Sequence, residues 1–165
     1  MLIILLLLYV VLAMLIHELG HLLMARRVRV TASELGFGLG PVLLSYQLGA
    51  VRVTLRAFPV GSFVRLDGTG LEERSARQQM LVHLGGVIMN VVVAAATYGS
   101  YFCWVNLLLA GGNLLPFYQH DGWKCGVVLM RVLLQRKSRP FERVFTYSGG
   151  FLSLVIIFVI VRMFI

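Results

Sequence analysis

The sequence predicts an all-α polytopic membrane protein of about four transmembrane helices, with a three-helix core and a small membrane-associated β-hairpin after the first helix. Three observations predict this class. Hydrophobic residues make up 59% of the 165 residues, whereas soluble domains are typically about 45–50% apolar. The apolar runs alternate with loops that carry most of the arginines, and a glycine-rich, β-branched segment at 28–66 interrupts the helical pattern. We expect residues 1–165 to form a single membrane-embedded domain without a separate soluble module.

The distribution of charge predicts the topology and excludes one class of partner. The chain has 15 Lys and Arg against 7 Asp and Glu, which gives a net charge of +8. The basic residues lie in loops beside the apolar runs, which is the positive-inside pattern, so we expect a lipid bilayer as partner and no nucleic acid. Arginines directly after the first run predict that the N-terminus lies outside. We expect an integral, multi-pass protein of a bacterial cell membrane.

Two different patterns open the chain. Residues 1–25 predict helix 1, because sixteen residues without a charge precede His17 and about 20 apolar residues span a bilayer core. Residues 28–66 predict a β-hairpin and loop, since apolar and polar residues alternate from Val51 to Arg56 with the period of a strand. The apolar segment 58–64 can lie at membrane depth only where it is buried in protein or lines a wet cavity.

Three further helices follow. Residues 79–101 predict helix 2, in which a Gly-Gly pair permits close approach of another helix. Residues 104–134 predict helix 3, which we expect to be broken near Pro116 because proline removes a backbone donor. Residues 144–165 predict helix 4, which follows a basic loop.

The strongest chemical signal lies inside helix 1, in the sequence His17-Glu18-Leu19-Gly20-His21. Two histidines four residues apart project from one helix face and can bind one zinc ion, while the adjacent glutamate can accept a proton from water. Ionisable groups at membrane depth are costly and mark function. A catalytic zinc needs a third ligand, and Asp121 is the best candidate because helix 3 carries it to the same cytoplasmic half of the membrane. The alternative for Asp121 is an Asp-Gly turn at the membrane surface.

These motifs resemble the site-2 proteases, a family of zinc intramembrane metalloproteases, in a minimal form without a PDZ domain. The segment His17–His21 fits the family motif H-E-x-G-H, and Asn113–Gly122 fits N-L-L-P-x4-D-G. Phe58–Val64 is similar to the family's P-x-G-G-Y-V loop, and Gly85–Asn90 is similar to a small-residue segment that ends in asparagine. Within the loop, Gly61-Ser62-Phe63 stands where the family has Gly-Gly-Tyr.

The resemblance implies a zinc-dependent endopeptidase that cuts in or near a transmembrane segment of a protein substrate. It implies one Zn²⁺ per chain, held by His17, His21 and Asp121, with Glu18 as the catalytic base. It also implies substrate contacts by five residues, namely Asn90, Asn113, Gly61, Ser62 and Phe63. The alternative for either asparagine is a helix–helix hydrogen bond. The implied substrates are regulatory membrane proteins, such as membrane-tethered transcription regulators or anti-sigma factors, and remnant signal peptides.

Two other functions stay open at this point. A catalytically inactive zinc-binding relative that acts as a binding factor would keep the metal site, although the intact Glu18 argues against it. A zinc transporter would need acidic or histidine groups at several depths, and the sequence shows one such cluster. Three roles stay open for His120: an alternative metal ligand, a hydrogen-bonding neighbour of the site, or a residue that faces water. His83 is expected at the membrane interface.

Overall fold

Helices and one small sheet make up the computed structural model, which describes residues 2–134 and 139–164. The helices are α1 (Leu2–Arg27), α2 (Gly68–Glu72), α3 (Ala76–Ala96), α4 (Tyr101–Leu114), α5 (Asp121–Leu133) and α6 (Arg139–Phe164). The strands are β1 (Ala32–Leu48) and β2 (Val51–Leu66), two long strands that pair antiparallel in one sheet, where two parts of β2 flank one part of β1. The predicted class is confirmed in its coarse form, a mostly helical protein with a small sheet after the first helix.

Two of the described helices, α1 and α3, are long and apolar enough to cross a bilayer. They have 26 and 21 residues. A shorter apolar stretch, Thr146–Ile156, lies within α6. Helices α4 and α5 are also shorter, and they lie on either side of the break predicted for helix 3. The total of four spans stays a prediction.

Helices α1 and α3 pack with their backbones in contact at a pair of glycines. A side chain added to Gly20 would collide with the carbonyl of Gly85, and a Cβ added to Gly85 would lie 2.6 Å from the carbonyl oxygen of Gly20. Small residues permit this approach between apolar helices, whose association depends on van der Waals packing. The contact places polar groups of α3 beside the two histidines of α1.

The break between α4 and α5 directs Asp121 toward α1. Helix α4 ends at Leu114, and the segment 115–120 carries the chain to α5. This segment contains Pro116, which lacks the backbone donor that a continuous helix needs. Gly122 lies directly against the carbonyl of Leu114, where a side chain would not fit. Asp121 is therefore the first residue of α5, where the positive end of the helix dipole favours a carboxylate.

The sheet lies against α1 and presents the edge segment 62–65 to it. Residues 34–37 of β1 pair with residues 62–65 of β2 on one side and with residues 52–55 on the other. A buried apolar cluster joins the end of α1 to α2 and α3, and Leu66 of β2 packs against it; its members are Ala25, Val28, Val30, Leu71 and Val82. Burial of this apolar area positions the sheet relative to α1.

Glu34 is a buried carboxylate within the sheet, with 7% of its surface exposed. Its Oε1 accepts hydrogen bonds from Thr54 Oγ1 at 2.7 Å and from Arg56 Nη2 at 2.9 Å. Arg65 Nη1 lies 3.2 Å from Oε2. The Thr54 hydrogen bond, followed by that of Arg56, lowers the pKa of Glu34 below its usual value. The charge is thus paired and hydrogen-bonded, as a buried charge must be.

The close contact of α1 with α3 predicts that Gly85→Ala destabilises the protein. Overpacking of this kind typically costs about 1–3 kcal/mol, and the thermal unfolding midpoint in detergent measures it. The matched control is Gly112→Ala in α4, where an added Cβ meets none of the described atoms within 4 Å. That variant should be neutral or more stable, because alanine favours a helix over glycine. An equal loss in both variants would contradict the packing argument.

The paired state of Glu34 predicts that acid loosens the sheet. Its folded pKa lies below the usual 4.5, so the ionised carboxylate stabilises the folded state above that pH. This contribution is lost as the pH falls through the folded pKa. Protection factors from amide hydrogen exchange in residues 32–37 should therefore decrease on acidification. In Glu34→Gln they should be lower at neutral pH and should change little with acid; a parent-like acid response in this variant would refute the assignment.

Candidate metal centre

Three side chains from two distant segments converge at one point between α1 and α5. Nε2 of His17 lies 3.0 Å from Oδ2 of Asp121, and Nε2 of His21 lies 3.2 Å from the same oxygen. The two Nε2 atoms are 3.2 Å apart. The exposed fractions are 5% for His17, 8% for His21 and 2% for Asp121. The residues predicted as the ligand set therefore lie together in a buried cluster.

Hydrogen bonds from α3 determine which ring nitrogen of each histidine carries the proton. Nδ1 of His21 lies 2.8 Å from the carbonyl oxygen of Val82, and because a carbonyl only accepts, Nδ1 is the donor. Nδ1 of His17 lies 2.7 Å from Oδ1 of Asn90, which is likewise an acceptor. In neutral rings with the proton on Nδ1, both Nε2 atoms present lone pairs.

Asn90 is itself oriented by two further acceptors. Its Nδ2 donates to the carbonyl oxygen of Ala13 at 3.2 Å and to Oδ1 of Asn106 at 2.8 Å. Nδ2 of Asn106 donates in turn to the carbonyl oxygen of Phe102 at 2.9 Å. Both asparagines are fully buried. Since the amide nitrogen of Asn90 faces these acceptors, its oxygen faces His17.

The donor set fits a zinc ion. Two lone pairs and a carboxylate oxygen meet at about 3 Å with no proton between them, and Oδ2 of Asp121 has no hydrogen-bond donor among the described residues. Such a set repels itself unless a cation lies within it. Tetrahedral zinc with N and O ligands at about 2.0–2.2 Å separates them by roughly 3.3 Å. Two histidines and one aspartate also leave the fourth position open, which is typical of a catalytic rather than a structural zinc site.

The backbone of α3 leaves room for the His17 ring at a single glycine. A Cβ added to Gly86 would lie 2.5 Å from Nε2 of His17 and 2.6 Å from two ring carbons. Real Cβ contacts are not this short, so any side chain at Gly86 would displace the imidazole. The two adjacent glycines of α3 therefore make two different contacts, since Gly85 packs on α1 and Gly86 leaves room for the His17 ring.

A cavity of about 480 Å³ opens beside the three ligands. The predicted catalytic base, Glu18, lines it and is 8% exposed. Oγ of Ser62 donates a hydrogen bond of 3.0 Å to Oε1 of Glu18, a contact that the sequence did not predict. Four further predicted residues also line the cavity, namely Gly61, Ser62, Phe63 and Asn113.

Asn90 and Asn113 differ in what they can reach. Nδ2 of Asn113 donates to the carbonyl oxygen of Leu109 within α4 at 3.0 Å, and the residue lines the cavity. Asn90 lies behind His17, where its amide oxygen and nitrogen are occupied by His17, Ala13 and Asn106. The structure therefore brings Asn113 to the cavity but not Asn90, whose contact is with a ligand.

Two basic residues that the sequence did not connect with the site also line the cavity. Nζ of Lys124 lies 3.1 Å from Oδ1 of Asp121. Asp121 precedes Lys124 by three residues on α5. His83, expected at the interface, is half-buried and lines the same cavity. A lysine one turn after Asp121 in an apolar segment was a usable signal, because an i,i+3 pair shares a helix face. His120 is the residue before α5, and its ring contacts Phe117 at a centroid distance of 5.6 Å.

Known proteins with similar sequences are named as peptidases or zinc metalloproteases. A model of Peptidase family M50 matches residues 3–103, a range that includes both histidines and Glu18 but ends before Asp121. A Fusobacterium nucleatum protein is 32% identical over 87 residues, which cover 48% of this chain and 26% of that protein. A Clostridium acetobutylicum protein is 31% identical over 110 residues, which cover 62% of this chain and 31% of that protein.

A third relative matches a longer part of the chain. It comes from Chlamydia trachomatis and is 28% identical over 132 residues, which cover 66% of this chain and 20% of that protein. All three relatives are named "Putative zinc metalloprotease". The chain spans between 20% and 31% of the length of these curated relatives.

The hydrogen bond to His17 predicts that Asn90→Leu weakens zinc binding. Loss of a partner that orients a metal ligand typically costs about 10- to 100-fold in metal affinity. Competition with a chromophoric chelator in detergent measures the zinc affinity. The matched control is Asn113→Leu, because the amide of Asn113 donates to the carbonyl oxygen of Leu109 in its own helix and not to a predicted metal ligand; this variant should bind zinc like the parent. Parent-like affinity in Asn90→Leu would show that the asparagine does not orient the ligand.

Proposed function

The chain belongs to peptidase family M50, the site-2 proteases, and we propose that it is a zinc-dependent endopeptidase that cuts in or near a transmembrane segment of a protein substrate. The observation that carries this proposal is the convergence of His17, His21 and Asp121 beside a cavity that Glu18 also lines. A zinc site with an open position and an adjacent carboxylate is the arrangement that water-mediated peptide hydrolysis needs.

The chain's own residues divide the chemistry between them. His17, His21 and Asp121 would hold the ion through Nε2, Nε2 and Oδ2, and Glu18 would act on water. A bound Zn²⁺ supplies Lewis-acid activation of the water and of the scissile carbonyl. The carboxylate of Glu18 accepts one proton from the attacking water and delivers it to the amine nitrogen that leaves. Asn113 lines the cavity, which supports a role for its amide as a donor to the substrate backbone or to the developing oxyanion.

The sheet supports binding of the substrate as an extended strand. Helical peptide bonds are shielded, so a transmembrane segment must unwind before it is cut. Residues 62–65 lie at the edge of the sheet, and Gly61, Ser62 and Phe63 line the cavity. An exposed edge offers free backbone donors and acceptors to an added strand. We therefore propose that the substrate pairs with this edge while its scissile bond lies beside Glu18.

The membrane context of the proposal rests on α1 and α3, the two described helices that could cross a bilayer. Four spans, an outside N-terminus and a site in the cytoplasmic half of a bacterial membrane complete it. The proposed substrates are membrane-tethered transcription regulators, anti-sigma factors or remnant signal peptides. A catalytically inactive zinc-binding relative that serves as a binding factor is the alternative that the test below distinguishes.

Glu18→Gln should abolish cleavage while zinc content stays near one ion per chain. The amide keeps the shape of the side chain but cannot accept the proton, and general-base catalysis is worth about 10²- to 10⁴-fold. The measurement is cleavage of single-span membrane segments co-expressed with the chain, together with metal analysis of the purified protein. Glu73→Gln, the same exchange at an exposed residue, should cleave like the parent.

The outcomes separate the two functions. Chelation of zinc should stop cleavage by the parent, and added zinc should restore it. Segments that co-purify with Glu18→Gln and are cut by the parent would identify substrates. A zinc-loaded parent that binds segments but cuts none of them would favour the inactive relative. A Glu18→Gln variant as active as the parent would refute the mechanism.

A further inference from the structure

The proposed base is held by a residue of the sheet rather than by its own helix. Oγ of Ser62 donates to Oε1 of Glu18 at 3.0 Å, which links β2 to α1 at the edge of the cavity. This hydrogen bond restricts rotation of the Glu18 carboxylate. A base must be held within hydrogen-bond reach of the proton that it removes, so the location of Ser62 bears directly on the reaction.

The backbone beside Ser62 does not by itself determine where the hydroxyl lies. Gly61 has a φ of 85°, a conformation that favours glycine, and apart from its chain neighbours no described atom lies within 4 Å of the position where a side chain would begin. The segment is also at the edge of the sheet, with residues 34–37 as its described partner. Side-chain contacts are therefore needed to hold Ser62 in place.

The next residue, Phe63, supplies these contacts. Its ring lies against Gly36 so closely that a side chain there would collide with it. The guanidinium carbons of Arg56 and Arg65 lie over the ring, 5.1 and 5.9 Å from its centroid. Cations within about 6 Å of an aromatic face are attracted to it. We refer to Arg56 and Arg65 as the arginine pair.

Glu34 forms an ion pair with each member of the arginine pair. Its carboxylate is 2.9 Å from Nη2 of Arg56 and 3.2 Å from Nη1 of Arg65. Two guanidinium groups over one ring repel each other, and the buried carboxylate between them offsets that repulsion. The side chain of Arg65 is 63% exposed, so it would extend into solvent without this partner.

Building on the proposed peptidase function, we infer that Glu34 is a positioning residue that, through the arginine pair, holds Ser62 on Glu18. Glu34 itself does not line the cavity. The loop departs from the family pattern at Ser62 and Phe63, and a glycine in place of Ser62 would have no hydroxyl to donate. The coupling acts on the base, so it should affect turnover more than substrate binding.

The first test measures the coupling without any substrate. Amide hydrogen exchange of residues 61–64, followed by mass spectrometry on the purified protein in detergent, should be about tenfold faster in Glu34→Gln, because hydrogen bonds to a charged group are lost. Glu73→Gln is the matched control and should exchange like the parent. Exchange in 61–64 that is unchanged by Glu34→Gln would overturn the inference even if the parent is an active peptidase.

The second test uses a single-span segment that the parent cleaves. Glu34→Gln and Ser62→Ala should each lower kcat about tenfold with KM within about twofold, and Ser62→Thr, which keeps the hydroxyl, should restore kcat. The double variant should be no slower than either single variant, since both remove the same contact. Losses that multiply in the double variant, or losses that appear in KM alone, would show that Glu34 does not act through Ser62.

A parent that cleaves no segment would count against the proposed function and leave the exchange experiment as the test of the coupling. Zinc content near one ion per chain in every variant shows that the variants fold around an intact ligand set. A Glu34→Gln variant that loses zinc would overturn the inference, because the arginine pair would then support the whole centre rather than the base.

Discussion

The contact between the backbones of α1 and α3 is the constraint from which the geometry of the metal centre follows. Because Gly20 and Gly85 allow the helices to touch, the carbonyl of Val82 and the amide of Asn90 reach the Nδ1 atoms of the histidines. Those two hydrogen bonds leave the Nε2 lone pairs free. The break after α4 then adds the carboxylate of Asp121 from a third segment. The packing of α1 on α3 therefore also determines the geometry of the metal centre.

The polar residues behind His17 are satisfied in a chain of hydrogen bonds that extends across three helices. His17 donates to Asn90, Asn90 donates to Asn106 and to the carbonyl of Ala13, and Asn106 donates to a carbonyl of its own helix. In an apolar surrounding an unpaired polar group costs several kcal/mol. The asparagines therefore orient a ligand and also link α1, α3 and α4. Any change to one of them alters both the helix packing and the ligand geometry.

The helices and the sheet contribute different parts of the site. The helices supply every atom of the ligand set, whereas the sheet supplies the hydroxyl that contacts Glu18 and an edge that can accept an extended peptide. The apolar cluster where α1, β2, α2 and α3 meet holds these two parts together. A paired charge at Glu34 stabilises the sheet near the cavity, and its partners extend to Phe63 on the cavity wall.

The sequence by itself determined the class of fold, the broken helix and the pairing of His17 with His21, because hydropathy, proline chemistry and an i,i+4 spacing are local properties of the chain. Asp121 became the candidate third ligand because it is a carboxylate within the broken helix at a matching depth, and because its segment resembles the family motif N-L-L-P-x4-D-G. Only the tertiary structure decided that Asn90 faces His17 rather than the cavity, that Lys124 and His83 line the cavity, and that Ser62 contacts Glu18. These contacts join residues up to 73 positions apart. They depend on the rotation and depth of each packed element, which no local pattern encodes.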